Sequence, residues 1–182
     1  MTQHKERAVL ELFLNEPTKQ WHFKYIAKGA NISEDRANYW LRQFMKQNLI
    51  QHIKPEGKMP YFTANHDHPD YQNKKRIYAL NRMLETGLLS RLQSLKKAKA
   101  VVIFGSFANG EWNTESDIDV FIYGDPEDLK FGTVWKGLGR ELEVHAFRTM
   151  EEIKKIRSGL IKNVVGGYFV KGSVHDIAEV SP

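Results

Sequence analysis

The unbroken apolar run 100–104, Ala-Val-Val-Ile-Phe between Lys99 and Gly105, constrains this chain more than any other feature. A run this short with no polar interruption is the pattern of a buried strand. The segments 118–123 and 142–147 read as two further strands, and 168–170 as a late one. Residues 126–137 bridge the second and third strands, with room for a short helix. Thr149 caps a further helix, which begins with Glu151 and Glu152 at its positive end.

The residues after the first strand carry the chemistry. The strand ends at Gly105, whose missing side chain lets backbone amides approach an anion. Ser106 adds a hydroxyl at the start of a short helix, a favourable place for phosphate. Further on, Glu115-Ser116-Asp117-Ile118-Asp119-Val120 leads into the second strand. Residues i and i+2 of a strand point to one face, so Asp117 and Asp119 are expected side by side, with Ile118 and Val120 turned into the core. Two carboxylates held this way suit Mg²⁺ beside a triphosphate, because Mg²⁺ takes a few carboxylates together with phosphate oxygens. A Gly-Ser pair alone is a turn, and Asp-x-Asp alone is a solvated strand edge. Their combination in front of a hydrophobic strand is far more specific.

The segment 104–120 resembles the polymerase-beta-like minimal nucleotidyltransferases, with their Gly-Ser and Asp-x-Asp signature, and the resemblance runs over about 100–172. It implies a small mixed sheet with helices against it, phosphate contacts at Gly105 and Ser106, and Mg²⁺ or Mn²⁺ at Asp117 and Asp119. The family usually has a third carboxylate on a later strand. The matching region is 139–145, where Glu141, Glu143 and His145 share one strand face opposite Leu142 and Val144. The alternating pattern favours Glu143 as the third catalytic and metal-binding acid, with Glu141 as the competitor. Two residues depart from the family pattern: glutamate stands where aspartate is common, and Asn109 where many relatives carry a basic residue. The activity implied is metal-dependent transfer of a nucleoside monophosphate from a nucleoside triphosphate to a hydroxyl on a protein, an RNA or a small molecule, with release of pyrophosphate. His145 read by itself is an ordinary strand histidine, although it could line the pocket. Trp112 and Trp135 read as packing residues.

The first third of the chain has a different texture. Residues 5–15 read as a helix with Val9, Leu12 and Phe13 at helical spacing, stopped by Pro17. A second helix spans 23–28 with Phe23, Ile26 and Ala27 inward, and Gly29 follows as a turn residue. A third, 33–47, starts at Ser33 with Glu34 and Asp35 in its first turn, and carries Ala37, Trp40, Leu41, Phe44 and Met45 on one face. Residues 49–53 and 61–63 read as strands joined by the loop 54–59. This order over 5–65 resembles a winged helix-turn-helix domain. Its candidate contacts to double-stranded DNA are Arg36, Asn38, Tyr39, Arg42, Gln43 and Lys46 on the third helix, with Lys54 and Lys58 on the wing. Glu34 and Asp35 oppose that role, and protein docking or dimerisation is the rival.

Pro69 opens a connecting helix whose stripe of Ile77, Leu80, Leu84, Leu88 and Leu92 runs to about residue 95, interrupted by Gly87. That face could pack on either domain or on a second copy of the chain as a homodimer. The triplet His66-Asp67-His68 before it reads as a polar turn with a helix cap. The expected organisation is α+β: a winged helix-turn-helix domain (1–65), a connecting helix (66–98) and a mixed-sheet nucleotidyltransferase domain (99–182).

Charge and composition narrow the function. The net charge is +5, and residues 1–65 hold 10 Lys and Arg against 6 Asp and Glu, whereas residues 96–182 hold 12 against 13. The basic excess therefore lies in the first half, in keeping with a nucleic-acid partner. There is no cysteine, which excludes disulfides, thiolate zinc sites and cysteine nucleophiles. No apolar run approaches the roughly 20 residues of a membrane span. The first seven residues lack the apolar centre of a secretory signal, so a cytoplasmic protein without membrane partners is expected. Two rivals to an active enzyme follow from the same features. One is a DNA-binding regulator whose nucleotidyltransferase domain senses nucleotide or is inactive. The other is an antitoxin-like module that modifies a partner protein.

Overall fold

The computed structural model describes residues 2–129 and 133–178. The chain divides into two compact units, Met1–Lys75 and Arg76–Pro182.

The first unit is built from α1 (Thr2–Asn15), α2 (Phe23–Gly29), α3 (Glu34–Lys46) and the antiparallel pair β1 (Ile50–Ile53) and β2 (Tyr61–Ala64). Its helices bury Val9, Leu10, Phe13 and Leu14 from α1, Ile26 and Ala27 from α2, and Ala37, Leu41 and Phe44 from α3, while the expected Leu12, Phe23, Trp40 and Met45 are only partly buried. Ser33 takes the extended N-cap conformation of α3, but its hydroxyl makes no capping hydrogen bond. The helix start is supported instead by Glu34 and Asp35 in its first turn. After α3, Asn48 adopts a left-handed conformation, which asparagine tolerates better than most residues, and turns the chain into β1. Trp21 adds one antiparallel bridge to Phe62 of the hairpin.

Helix α4 (Pro69–Glu85) runs across the division between the units, so the segment 66–98 contributes to both. The triplet before it is a polar turn, in which His68 Nδ1 accepts from the Asp70 amide at 3.2 Å. Within the first unit, the Tyr71 hydroxyl donates to the Phe13 carbonyl at 2.9 Å. The expected apolar stripe of α4 needs correction. Ile77 and Leu84 are 56% and 60% exposed, and the buried face is Tyr71, Lys75, Ala79 and Met83 at four-residue spacing. Both faces of this helix carry apolar residues, and periodicity alone does not say which one meets a core. Gly87, left-handed at φ 77°, separates α4 from α5 (Leu88–Gln93), which buries Leu88 and Leu92.

The second unit holds a five-stranded mixed sheet in the order β5-β6-β4-β3-β7. Its strands are β3 (Ala98–Phe104), β4 (Ile118–Gly124), β5 (Thr133–Trp135), β6 (Arg140–Phe147) and β7 (Tyr168–Lys171). β4 and β6 are parallel and the other pairs antiparallel. The short helix α6 (Gly105–Asn109) follows β3, and α7 (Met150–Lys154) and α8 (Ser158–Val165) precede β7. Ala100, Val102 and Phe104 of β3 join Phe121 and Tyr123 of β4 in a core closed by Ile153, Val164 and Ile177. Val101, Ile103, Val120 and Ile122 are buried too, on the opposite face, which is why these strands show no alternation in sequence.

Two expectations change here. Between β4 and β6 the described residues form a turn and the edge strand β5 rather than a helix. That strand is only three residues long, with Val134 half-exposed, too little to leave a periodic signal. Residues 130–132 of this connection lie outside the described residues. The helix that Thr149 starts is two helices, α7 and α8, interrupted at 155–157. No helix among the described residues is long and apolar enough to cross a membrane.

Candidate metal and nucleotide site

Parallel pairing sets Asp119 of β4 beside Glu143 of β6 and Phe121 beside His145. Strand alternation then puts Asp119, Phe121 and Tyr123 on one face, next to Glu143, His145 and Phe147. That face is apolar at one end, where Phe121 stacks on Phe147 with centroids 5.4 Å apart. At the other end it is polar. Asp119, Glu143 and His145, each partly buried, offer ligand atoms that all lie within 4.8 Å of one another. His145 Nε2 is 3.4 Å from Glu143 Oε1. The other side of the imidazole meets the Phe104 ring, at 5.5 Å between centroids and a tilt of 56°.

Phe104 pairs with Asp119 across β3 and β4, which brings the next residue, Gly105, against the carboxylate. Gly105 is left-handed at φ 68°, and a Cβ there would collide with the Asp119 carboxylate. The backbone conformation and the contact both require glycine. Ser106 follows, partly buried in the first turn of α6.

The Asp119 carboxyl is pushed up to about 6, first by burial and next by the charge of Glu143. A hydrogen bond with Glu143 and the charge of Asp117 add to the rise, and His145 opposes it. Crowded, half-buried carboxylates of this kind lack positive charge. Two carboxylates and an imidazole converging at this spacing form a donor set that fits a divalent cation.

The first acid of the Asp-x-Asp pair, Asp117, stands at the entry to the strand. It is exposed, it precedes β4, and it is not in the converging group. Alternation disciplines side chains only within a ladder, and the β4–β6 ladder starts at Ile118 beside Leu142. The charge of Asp117 still reaches Asp119 and Arg140. Glu141 is exposed and stands opposite Val134 of β5.

Arg140 escaped the sequence reading. Its guanidinium donates to the Ser116 carbonyl at 2.6 Å and the Thr114 carbonyl at 3.2 Å. It also lies over the rings of Phe107 and Trp112, at 5.1 and 5.5 Å. Those rings stack on each other at 5.4 Å, which makes Trp112 a packing residue. Arg140 thus ties the loop before Asp117 to β6. Burial lowers its proton affinity, while Asp117 and Tyr78 sustain it. No local signal marks it, because its partners lie 24 and 26 residues away. The Asn109 carbonyl accepts from Arg76 Nε at 2.9 Å.

In the first unit, Arg36, Asn38, Tyr39, Arg42 and Lys46 are exposed on α3, with Gln43 partly so, and Lys54 and Lys58 are exposed on the loop between β1 and β2. A cleft beside the turn between α2 and α3 gathers Lys5, Lys24, Lys28 and Arg36, with Glu34 also in its lining. Lys5 belongs to α1, and Lys24 and Lys28 belong to α2, two helices that sequence reasoning treated only as packing elements.

Residues 86–172 match the family model of the nucleotidyltransferase domain. The match begins before the expected start near residue 100, takes in α5, and contains Gly105, Ser106, Asp117, Asp119, Glu143 and His145. Nucleotidyl transfer is therefore the general class of chemistry that this stretch resembles. No curated protein and no solved structure matches the chain.

Proposed function

We propose that the second unit transfers a nucleoside monophosphate from a nucleoside triphosphate to a hydroxyl acceptor. The carrying observation is the convergence of Asp119 and Glu143 next to Gly105-Ser106, inside the stretch that matches the nucleotidyltransferase domain. Asp119 and Glu143 hold a divalent cation, Mg²⁺ or Mn²⁺, and Asp117 adds negative charge at the rim. When bound, such a cation offsets phosphate charge and makes the acceptor hydroxyl more acidic. Gly105 and Ser106 supply a backbone amide and a hydroxyl to phosphate oxygens. Arg140 holds the loop that carries Asp117. In the reaction the acceptor oxygen forms a bond to the α-phosphorus. The bond from that phosphorus to the α–β bridging oxygen breaks, and pyrophosphate leaves with the electron pair. The acceptor's proton passes to a carboxylate, for which Glu143 is the assigned base. Incubation with labelled nucleoside triphosphates, Mg²⁺ or Mn²⁺ and cell lysate tests the reading. Label should reach a defined species with the wild-type chain and not with Asp119→Asn. Absence of transfer from every nucleotide with either metal would overturn it.

A second reading concerns the first unit, where the order of elements, the exposed polar face of α3 and the cationic cleft favour binding of double-stranded DNA. We read this unit as a winged helix-turn-helix, with phosphates contacted by Lys24, Lys28, Lys54 and Lys58, and base edges by Asn38, Arg42 and Gln43. On this reading, either DNA localises the transferase or the second unit serves as a nucleotide sensor for a regulator. Mobility-shift assays against genomic fragments at low salt decide it. No retardation at micromolar protein defeats DNA binding and favours a docking role.

A further inference from the structure

The reading above uses two of the three converging side chains and leaves His145 without a task. Its imidazole is not placed at random. Strand alternation puts it on the same face as Glu143, two residues along β6, and the parallel register puts Asp119 across from Glu143. The Phe104 ring backs one side of the imidazole, while Nε2 faces Glu143 Oε1 at 3.4 Å. That separation is close to the spacing of two neighbouring ligands on one ion, since metal–ligand bonds of about 2.1 Å at right angles span roughly 3 Å.

Resting on the nucleotidyltransferase reading, we propose that His145 Nε2 is a metal ligand, and that the site prefers a first-row transition ion such as Mn²⁺ to Mg²⁺. The chemical reason lies in the donor set. Mg²⁺ is a hard ion that takes oxygen ligands and water in a strict octahedron, and it gains little from an imidazole nitrogen. First-row transition ions accept nitrogen readily, and one imidazole with two carboxylates leaves coordination positions open for phosphate oxygens. A site of three carboxylates would carry one more negative charge and no nitrogen. The glutamate at 143 and the histidine at 145 therefore belong to one device: the longer acid reaches the ion from the register position opposite Asp119, and the imidazole closes the group from the next position on that face.

The test uses the full metal-free chain and the ions alone. Calorimetric titration with MnCl₂ and with MgCl₂ should show Mn²⁺ binding at least tenfold more tightly. In His145→Asn that preference should shrink by about tenfold, with Mg²⁺ affinity changed less than threefold. Electron spin-echo modulation of the Mn²⁺-loaded wild type should show an imidazole ¹⁴N coupling that His145→Asn lacks. The wild-type spectrum needs no variant, so a poorly folded substitution does not leave the matter open. Mn²⁺ bound without a ¹⁴N coupling, or an unchanged Mn²⁺-to-Mg²⁺ ratio in a folded His145→Asn, would overturn the assignment. Either result leaves nucleotidyl transfer intact if label still moves with Mg²⁺. Failure of label to move with a metal-loaded, nitrogen-coordinated site would instead sink the function and spare the ligand.

Discussion

At the scale of single residues, Asp119 carries the charge cost of the polar face, because burial and Glu143 both disfavour its ionised form. Its carboxyl titrates at about 6 in the fold, against an ordinary 3.8. The folded state therefore holds the proton to higher pH than the unfolded chain. Between about pH 4 and 6 the native form binds more protons, and stability falls as pH rises through that window. Asp119→Asn removes the penalty. In chelator, this variant should melt above the wild type at pH 7 and level with it at pH 4, while losing divalent-metal binding; identical melting at pH 7 would contradict the electrostatic account. Gly105 makes the complementary case. Gly105→Ala incurs a left-handed backbone cost of about 1–2 kcal/mol and displaces the Asp119 carboxylate as well. Urea unfolding should report at least that loss, and metal affinity should fall with it.

At the scale of elements, α7 shows how a short helix is held. Thr149 Oγ1 accepts from the Glu152 amide at 3.2 Å, and the Glu152 carboxylate accepts from the amides of Arg148 at 2.6 Å and Thr149 at 3.1 Å. This is a reciprocal capping box. Thr149→Ala should cost about 1 kcal/mol in denaturant unfolding. The amide bonds hold the Glu152 carboxyl below its usual range. Its contribution is present at neutral pH and is lost as pH falls through the folded value, so Glu152→Gln should flatten that part of the acid limb. For α2 and the loop between β1 and β2, the exposed cations predict a salt-dependent interaction. Lys24→Ala or Lys58→Ala should each lower the slope of log affinity for DNA against log salt by about one. An unchanged slope would remove that side chain from the phosphate contacts.

At the scale of the whole molecule, the division at Lys75 and Arg76 assigns the two proposed activities to different units. Hydrogen exchange on the intact chain should then separate them. Nucleotide with Mn²⁺ should protect amides over 104–120 and 140–147, and double-stranded DNA should protect 33–58. Protection of the first set by DNA alone would argue against separate sites.

Local pattern was enough for much of this protein. The apolar runs determined β3 and β4, because a strand buried on both faces leaves an unbroken signature. The amphipathic spacing of α2 and α3 marked the centres of their buried faces, and Thr149 marked a helix start through a cap that acts within three residues. The sequence also marked Gly105, Ser106 and Asp119 as a connected motif. It did not determine which acid meets Asp119. Glu141 and Glu143 share a strand face, and only the parallel register of β4 and β6 puts Glu143 across from Asp119. The same register brings His145 into the group and leaves Asp117 before the ladder. Arg140, the buried face of α4 and the edge strand β5 were likewise decided by tertiary packing. The physical reason is common to all of them: periodicity relates residues within one element, whereas register and burial arise from contacts between elements whose offset no local spacing encodes.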